Sequence, residues 1–108
     1  MLARIKLGGE FYFSVLERIF GQLQPRSYVE VGVFRGESLR LARAPTIAVG
    51  IDPEPRLSEP LAANHKVFAE SSDEFFANRD LRGLLGDLPV DLAFIDGMHH
   101  LEFALRDF

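Results

Sequence analysis

Four short apolar segments, separated by turns and helical patterns, set the main constraint on how this chain of 108 residues folds. Each segment is rich in apolar or β-branched residues and is bounded by proline, glycine or polar turn residues, which is typical of strands. The second is apolar almost throughout, which indicates a strand covered on both faces. The four segments are Ser27–Gly32, Thr46–Ile51, Lys66–Ala69 and Val90–Ile95.

Helical patterns alternate with these strands. The apolar residues of Glu10–Leu23 recur at helical spacing, which predicts an amphipathic helix that ends at Pro25. Weaker patterns predict four more helices. They are a short helix at Glu37–Ala44, a weak helix at Leu57–Asn64, a broken helix at Asp73–Leu85 and the start of a last helix at His100–Phe108. The alternation favours the α/β class, with a parallel sheet and right-handed crossovers.

Composition excludes several classes of function. The net charge of −4 argues against nucleic acid as a main partner, because phosphate binding needs a basic face. The chain has no cysteine, hence no disulfide and no thiolate metal site. No apolar run approaches the ~20 residues that span a bilayer, and Met1–Gly9 lacks the apolar core of a secretory signal. We therefore expect a cytoplasmic protein that acts without a membrane.

A glycine-rich loop follows the first predicted strand, in the stretch Glu30–Ser38. Gly32 and Gly36 allow positive φ angles and close approach of a ligand to the main chain, and the Ser38 hydroxyl adds a polar group there. Asp52 ends the next strand, where a carboxylate can accept hydrogen bonds from two ribose hydroxyls. This order of features predicts a binding site for a nucleotide-like ligand. The alternative is that the glycines are ordinary turn residues and that Asp52 is a capping or loop acid.

Two further polar clusters follow later strands. Ser71 and Ser72 could hydrogen-bond a base edge, cap the helix that follows, or do both. Asp96 closes the fourth strand at its carboxyl end, and His99 and His100 follow it, so a metal ligand or a general base is available there. Two adjacent histidines do not face one site from a regular helix, and we favour His99. The alternative is that Asp96 caps the last helix and that the histidines are structural or solvated.

These stretches together resemble the class I S-adenosylmethionine-dependent methyltransferases, in particular the branch with catechol O-methyltransferase and small bacterial macrolide-sugar O-methyltransferases. The matching stretches are VEVGVFRGES, AVGIDPEP, FAESSDEFF and DLAFIDGMHHLEFALRDF, which span Val29 to Phe108. The last is similar to the family pattern Ile-Asp-Gly-x-His-x-Tyr-Glu. It departs from that pattern at Leu101, where an aromatic residue is usual, and at Met98, which is often acidic.

The resemblance implies how each cluster would hold S-adenosylmethionine. The residues around the methionine part would be Glu30, Gly32, Gly36 and Ser38. Asp52 would hold the ribose hydroxyls, and Ser71 and Ser72 would lie near the adenine. Asp96 would be the first acidic ligand of a divalent cation, usually Mg²⁺, that orients a substrate hydroxyl, and His99 would be a base or a substrate contact.

The resemblance also implies the architecture. It is a Rossmann-like parallel sheet with the predicted strands in the order 3-2-1-4 and flanking helices, with an N-terminal helical segment at 1–25 and a cofactor-binding core at 26–108. The family fold has three more strands, so the chain corresponds to a truncated single domain that lacks them. We expect O-methyl transfer to a small molecule in the full-length form and no turnover by 108 residues alone.

Three other expectations follow from this architecture. The fourth strand would be an open apolar edge, which favours pairing and predicts a homodimer through that edge. An NAD-binding half-domain is an alternative, although it needs the spacing Gly-x-Gly-x-x-Gly, which is not met. A non-catalytic interaction or assembly module that kept the fold is the alternative from another class.

Overall fold

A six-stranded sheet carries the residues that the computed structural model describes, which are 2–7, 12–96 and 101–106. The strands are β1 (Leu2–Leu7), β2 (Ser27–Val31), β3 (Ile47–Ile51), β4 (His65–Phe68), β5 (Leu92–Asp96) and β6 (Leu101–Arg106). The helices are α1 (Tyr12–Leu23), α2 (Ser72–Asn78) and α3 (Leu81–Leu84), and Leu39–Leu41 forms a 3₁₀ turn. Within this part of the chain, no helix has the length and apolar character to cross a membrane.

The four strands predicted from the sequence form the parallel part of the sheet. The spatial order is β5-β2-β3-β4, which confirms the predicted Rossmann-like order 3-2-1-4. Tyr28 of β2 is paired with Ala48 of β3 on one side and with Leu92 of β5 on the other. The chain moves outward from β2 to β4 and then returns to the other side of β2 as β5. The direction of winding therefore changes between β2 and β5, which is where ligands bind in open α/β sheets.

Both faces of the parallel strands are covered, because successive side chains of a strand point to opposite faces. One face packs against α1 through a buried cluster that contains Leu16, Tyr28 and Phe94. The other packs against α2 and α3 through a cluster that contains Val49 and Phe75. Burial on both faces explains why these strands are nearly continuous apolar runs.

Side-chain hydrogen bonds align the first residues of β2 and β5. The amide of Asp91 donates to Oγ of Ser27 (2.8 Å), and Oγ of Ser27 donates to the carbonyl oxygen of Pro89. The Asp91 carboxylate accepts from the amide of Arg26 (2.9 Å) and lies 3.8 Å from its guanidinium group. These bonds satisfy buried polar groups at the edge of the sheet where the parallel strands begin.

The expectation of a helix over His100–Phe108 is wrong for residues 101–106. They form β6, which pairs antiparallel with β5, and β1 pairs antiparallel with β6. The sequence of β6 alternates, with Leu101, Phe103 and Leu105 separated by single residues, and period two is the strand pattern rather than the helical one. Residues 2–7 were likewise included in the N-terminal helical segment, and they are β1.

This pairing removes the open edge that was expected at the fourth strand. β5 has β2 on one side and β6 on the other, from Leu92 opposite Leu105 to Asp96 opposite Leu101. A homodimer through that edge would have to displace β6. It stays an untested prediction.

Two of the expected helices are shorter or missing. Leu57–Asn64 forms no helix, because Pro60 interrupts it and because its first residues bond to the glycine loop instead. The amides of Arg56 and Ser58 donate to the carbonyl oxygens of Phe34 and Arg35 (2.9 and 3.1 Å). Only Leu39–Leu41 of Glu37–Ala44 is helical, as the 3₁₀ turn. The broken helix predicted over Asp73–Leu85 is confirmed as α2 and α3.

Close packing over β3 predicts a large effect of Gly50→Ala. A Cβ atom at Gly50 would lie 2.7 Å from Cγ2 of Val33 and 3.3 Å from Cδ2 of Leu39. We expect the substitution to lower the free energy of unfolding by about 1–3 kcal/mol, measured by urea denaturation. Gly21→Ala in α1 is the matched control, since a Cβ there meets no atom within 4 Å, and it should raise stability by about 0.5–1 kcal/mol. Equal stability of the two variants would contradict the packing described here.

Candidate functional site

The glycine loop after β2 lies against the end of β5. Gly32 has φ +90°, and a Cβ atom on it would lie 3.0 Å from the carbonyl oxygen and 3.2 Å from Cβ of Asp96. Its amide donates to the carbonyl oxygen of Ile51 (2.8 Å). Gly36 has φ +83°, and its amide closes a turn to Val33 (2.9 Å). Both positions therefore need glycine, and the first brings Asp96 beside the loop.

The Asp52 carboxylate holds this loop in place. Oδ2 accepts hydrogen bonds from the amides of Val33 (2.9 Å) and Phe34 (2.8 Å), and Oδ1 accepts from the amide of Glu54 (2.8 Å). Gly32, Gly36 and Asp52 thus meet at one edge of a parallel sheet, as the sequence predicts. A carboxylate offers about four acceptor positions, so roughly one stays free here for a ribose hydroxyl, rather than the two expected.

Two clefts open at this edge, and both have Phe34 and Arg35 in their walls. The first, here called the acidic cleft, has a volume of about 270 Å³ and is lined by Tyr12, Gly32, Val33, Phe34, Arg35, Glu37, Ser38 and Asp96. The second, here called the Asp52 cleft, has a volume of about 520 Å³ and is lined by Phe34, Arg35, Asp52, Pro53, Glu54 and Arg56. An elongated ligand that crosses Phe34 would occupy both.

Phe34 separates the two clefts in a conformation that its neighbours impose. Its φ is +53°, which is unfavourable for a residue with a side chain, and its ring is 57% exposed. The main chain is held there by the bond of its amide to Asp52 and by the bond of the Arg56 amide to its carbonyl oxygen. Unfavourable backbone conformations that the surroundings maintain cluster at functional sites.

Glu30 is a buried carboxyl group on the α1 face of the sheet. The Tyr28 hydroxyl donates to Oε1 (2.6 Å), whereas Oε2 is buried and has no hydrogen-bond partner. Burial raises the pKa of Glu30 from 4.5 to about 7. The hydroxyls of Ser38 and Tyr28 oppose this rise in pKa, although the Ser38 hydroxyl does not reach hydrogen-bonding geometry with Oε2. The negative charges of Asp96 and Asp52 add to the rise. The group is therefore poised to ionise when a positive charge approaches.

Asp96 and Tyr12 both line the acidic cleft. Burial raises the pKa of the Asp96 carboxyl. The pKa of Tyr12 is also raised, first by burial and then by Asp96, Glu37 and Glu30. Its ring stacks on the buried ring of Phe94, with centroids 5.5 Å apart. The lining of the cleft thus contains two acids, Glu37 and Asp96, and one base, Arg35, a balance that favours a cationic ligand.

Other residues expected at the site have varied placements. Ser38 lines the acidic cleft. Ser71 caps α2, since its hydroxyl accepts from the amide of Glu74 (3.1 Å) and donates to the carboxylate of that residue (3.0 Å). Ser72 is the first residue of α2. Neither serine lines the acidic cleft or the Asp52 cleft. The capping role predicted for this pair is confirmed for Ser71, and a role in binding stays a prediction.

The metal site predicted at Asp96 stays a prediction. Residues 2–7, 12–96 and 101–106 contain no group of three or more histidine or acidic residues that could hold a metal ion. His99 and His100 lie outside the described residues.

Sequence reasoning missed Tyr12, Phe34 and Glu37 as parts of the site. Tyr12 lies four residues before Leu16, so both belong to the face of α1 that packs on the sheet. That face reaches the acidic cleft because α1 begins at the edge where the parallel strands end. A tyrosine at the first turn of an otherwise apolar helix face is the signal that could have found it.

No protein-family model, curated protein or solved structure matches this chain in the comparisons with known proteins.

The pKa of Glu30 predicts how stability depends on pH. Because the folded chain keeps a proton on Glu30 that the unfolded chain releases, stability falls as pH rises from about 4.5 to about 7. Glu30→Gln removes this penalty. We expect the free energy of unfolding of the variant to be about 2–3 kcal/mol higher than that of the original chain at pH 8, and this difference to shrink toward pH 4.5.

Urea unfolding at pH 5 and pH 8 measures this difference. Glu59→Gln, at an exposed acid, is the matched control and should leave the pH dependence unchanged. If the free energies of unfolding of the original chain and of Glu30→Gln changed equally between pH 5 and pH 8, Glu30 would already be ionised in the folded chain.

Proposed function

We propose that this chain is the S-adenosylmethionine-binding part of a methyltransferase. The observation that carries the proposal is the meeting of Gly32 and Asp96 between β2 and β5, where an acidic cleft adjoins the Asp52 cleft. S-adenosylmethionine has an ammonium and a sulfonium group at one end and a ribose and a base at the other. Its charge distribution matches this pair of clefts.

The cationic end suits the acidic cleft. Glu37 and Asp96 line this cleft, so an ammonium group would meet charges of opposite sign. Glu30, whose Oε2 is buried without a hydrogen-bond partner, could ionise when such a group binds. Arg35, which is in the walls of both clefts, is a candidate partner for the carboxylate of the methionine part. The absent side chain of Gly32 leaves the main chain accessible.

The ribosylated end suits the Asp52 cleft. Asp52 keeps roughly one acceptor position for a hydroxyl after its three backbone bonds. The exposed ring of Phe34, at the boundary of the clefts, offers an apolar surface next to the sulfur-bearing part of the ligand. Bound S-adenosylmethionine would supply an electrophilic methyl group, and the residues of the chain would orient it and exclude water.

A dinucleotide fits this edge less well. Its pyrophosphate carries negative charge and would face Glu37 and Asp96 in the acidic cleft. The loop is followed by a 3₁₀ turn of three residues rather than a long helix, so the positive end of a helix dipole is weak there. These two features favour S-adenosylmethionine over the NAD alternative.

Isothermal titration of the folded chain with S-adenosylhomocysteine tests the proposal. We expect saturable binding, no binding of NAD, and a loss of about tenfold or more in affinity for Gly32→Ala, whose Cβ would collide with Asp96. Asp96→Asn should also weaken binding of S-adenosylmethionine by about tenfold, because it removes a negative charge from the acidic cleft.

The control for both variants is Arg43→Gln, far from this edge, which should bind as the original chain does. Asp52→Asn and Gly32→Ala both also disturb the loop, so Asp96→Asn is the variant that reports on binding alone. Folded protein that gives no heat with millimolar S-adenosylhomocysteine would favour the alternative of a non-catalytic interaction module. Equal affinity for NAD would favour the dinucleotide alternative.

A further inference from the structure

A third cleft lies where β2 and β3 begin, at the opposite end of the sheet from the glycine loop. Its volume is about 590 Å³, which is within the range of small-molecule sites. One wall is the second half of α1 with Gln24–Arg26, and the other is the loop 41–46. The proposed methyltransferase function uses no residue of this cleft.

The loop wall is irregular, yet it is held firmly from behind. Nδ2 of Asn64 donates to the carbonyl oxygens of Ala42 and Thr46 (both 2.8 Å), and Nε2 of His65 lies 2.7 Å from the same oxygen of Ala42. The Thr46 hydroxyl donates to the carbonyl oxygen of Pro25 (2.6 Å), which ties the loop to the other wall. The cleft is thus formed before any ligand arrives, which lowers the entropy lost on binding.

Gly21 lies in the helical wall of the cleft. A Cβ atom there would meet nothing within 4 Å, and its φ is not positive, so neither packing nor backbone conformation requires glycine. Glycine within a helix lowers stability relative to alanine. Because Gly21 lines the cleft, a large side chain at this position would fill the opening, whereas the single methyl group of alanine would leave it free.

The chemistry of the lining indicates the class of ligand. Phe20, Leu41 and Pro45 supply an apolar surface. Of the three charged residues in the lining, Arg26 lies near the Asp91 carboxylate (3.8 Å), whereas Arg43 and Glu17 are exposed and have no ion-pair partner in the described part of the chain. A ligand that complements all of this surface has an apolar group, a carboxylate and an ammonium.

We propose that this cleft binds a free amino acid with a large apolar side chain. Arg43 pairs with its carboxylate, Glu17 pairs with its ammonium, and the apolar side chain rests on Phe20 and Leu41. The site is separate from the clefts at the other end of the sheet, so this proposal stands or falls independently of the methyltransferase function.

A titration of the folded, ¹⁵N-labelled chain with L-phenylalanine, followed by amide NMR shifts, tests the proposal. We expect saturable shifts in the millimolar range at Gly21, Leu41 and Ala44, with none at Gly32. Two probes each lack one charged group: 3-phenylpropanoate has no ammonium, and phenethylamine has no carboxylate. Each should bind at least about fivefold more weakly than phenylalanine.

Variants separate this site from general surface binding. Gly21→Trp fills the opening and should abolish the shifts, whereas Gly21→Ala, the matched control, should keep them. Arg43→Gln should remove the preference for phenylalanine over phenethylamine. The proposed site would be wrong if the original chain showed no shifts or if Gly21→Trp bound phenylalanine as the original chain does. The proposed class of ligand would be wrong if Arg43→Gln still preferred phenylalanine over phenethylamine.

Discussion

The edge of the sheet where the parallel strands end depends on the Asp52 carboxylate. It accepts three backbone amides, from Val33, Phe34 and Glu54, and so joins the loop after β2 to the end of β3. Hydrogen bonds to an ionised acceptor are about twice as strong as neutral ones, and Asp52 is only 6% exposed. This one side chain therefore supports the positive φ of Phe34, and Phe34 in turn divides the acidic cleft from the Asp52 cleft.

Concentrating acids at this edge has an electrostatic cost that a ligand can offset. Asp96 and Asp52 both raise the pKa of Glu30, whose Oε2 is buried without a partner. Such an arrangement is destabilising in the free chain, because a buried carboxyl without full hydrogen bonding favours its neutral form. A cation in the acidic cleft would relieve this repulsion. The same feature that lowers stability therefore supports the proposal of a positively charged ligand at this edge.

Local sequence signals were enough to predict the parallel strands and the glycine loop, but not the elements that depend on distant partners. β-branched runs bounded by turn residues located β2 to β5, and Gly32, Gly36 and Asp52 meet as expected. The helix that a weak pattern predicted over His100–Phe108 is wrong for residues 101–106, which follow a period of two and pair with β1 and β5. Leu57–Asn64 has weak helical spacing, but the bonds of Arg56 to Phe34 and of Ser58 to Arg35, which are invisible in the sequence, take precedence. The three backbone bonds of Asp52 were equally invisible.

The proposed function has two parts, cofactor binding and the chemistry toward an acceptor. The structure supports them unequally, because β6 departs from what the resemblance implies. Asp96 and the chain beyond it would carry the chemistry toward an acceptor, and there the structure has an antiparallel strand where the resemblance implies a helix. The cofactor-binding part draws on β2, β3 and the start of α1, which are the elements with the expected order and register. Gly32, Glu30, Asp52 and Tyr12 all belong to that part. The proposed binding of a cationic, ribosylated ligand therefore rests on the parallel core, whereas β6 bears only on the acceptor side.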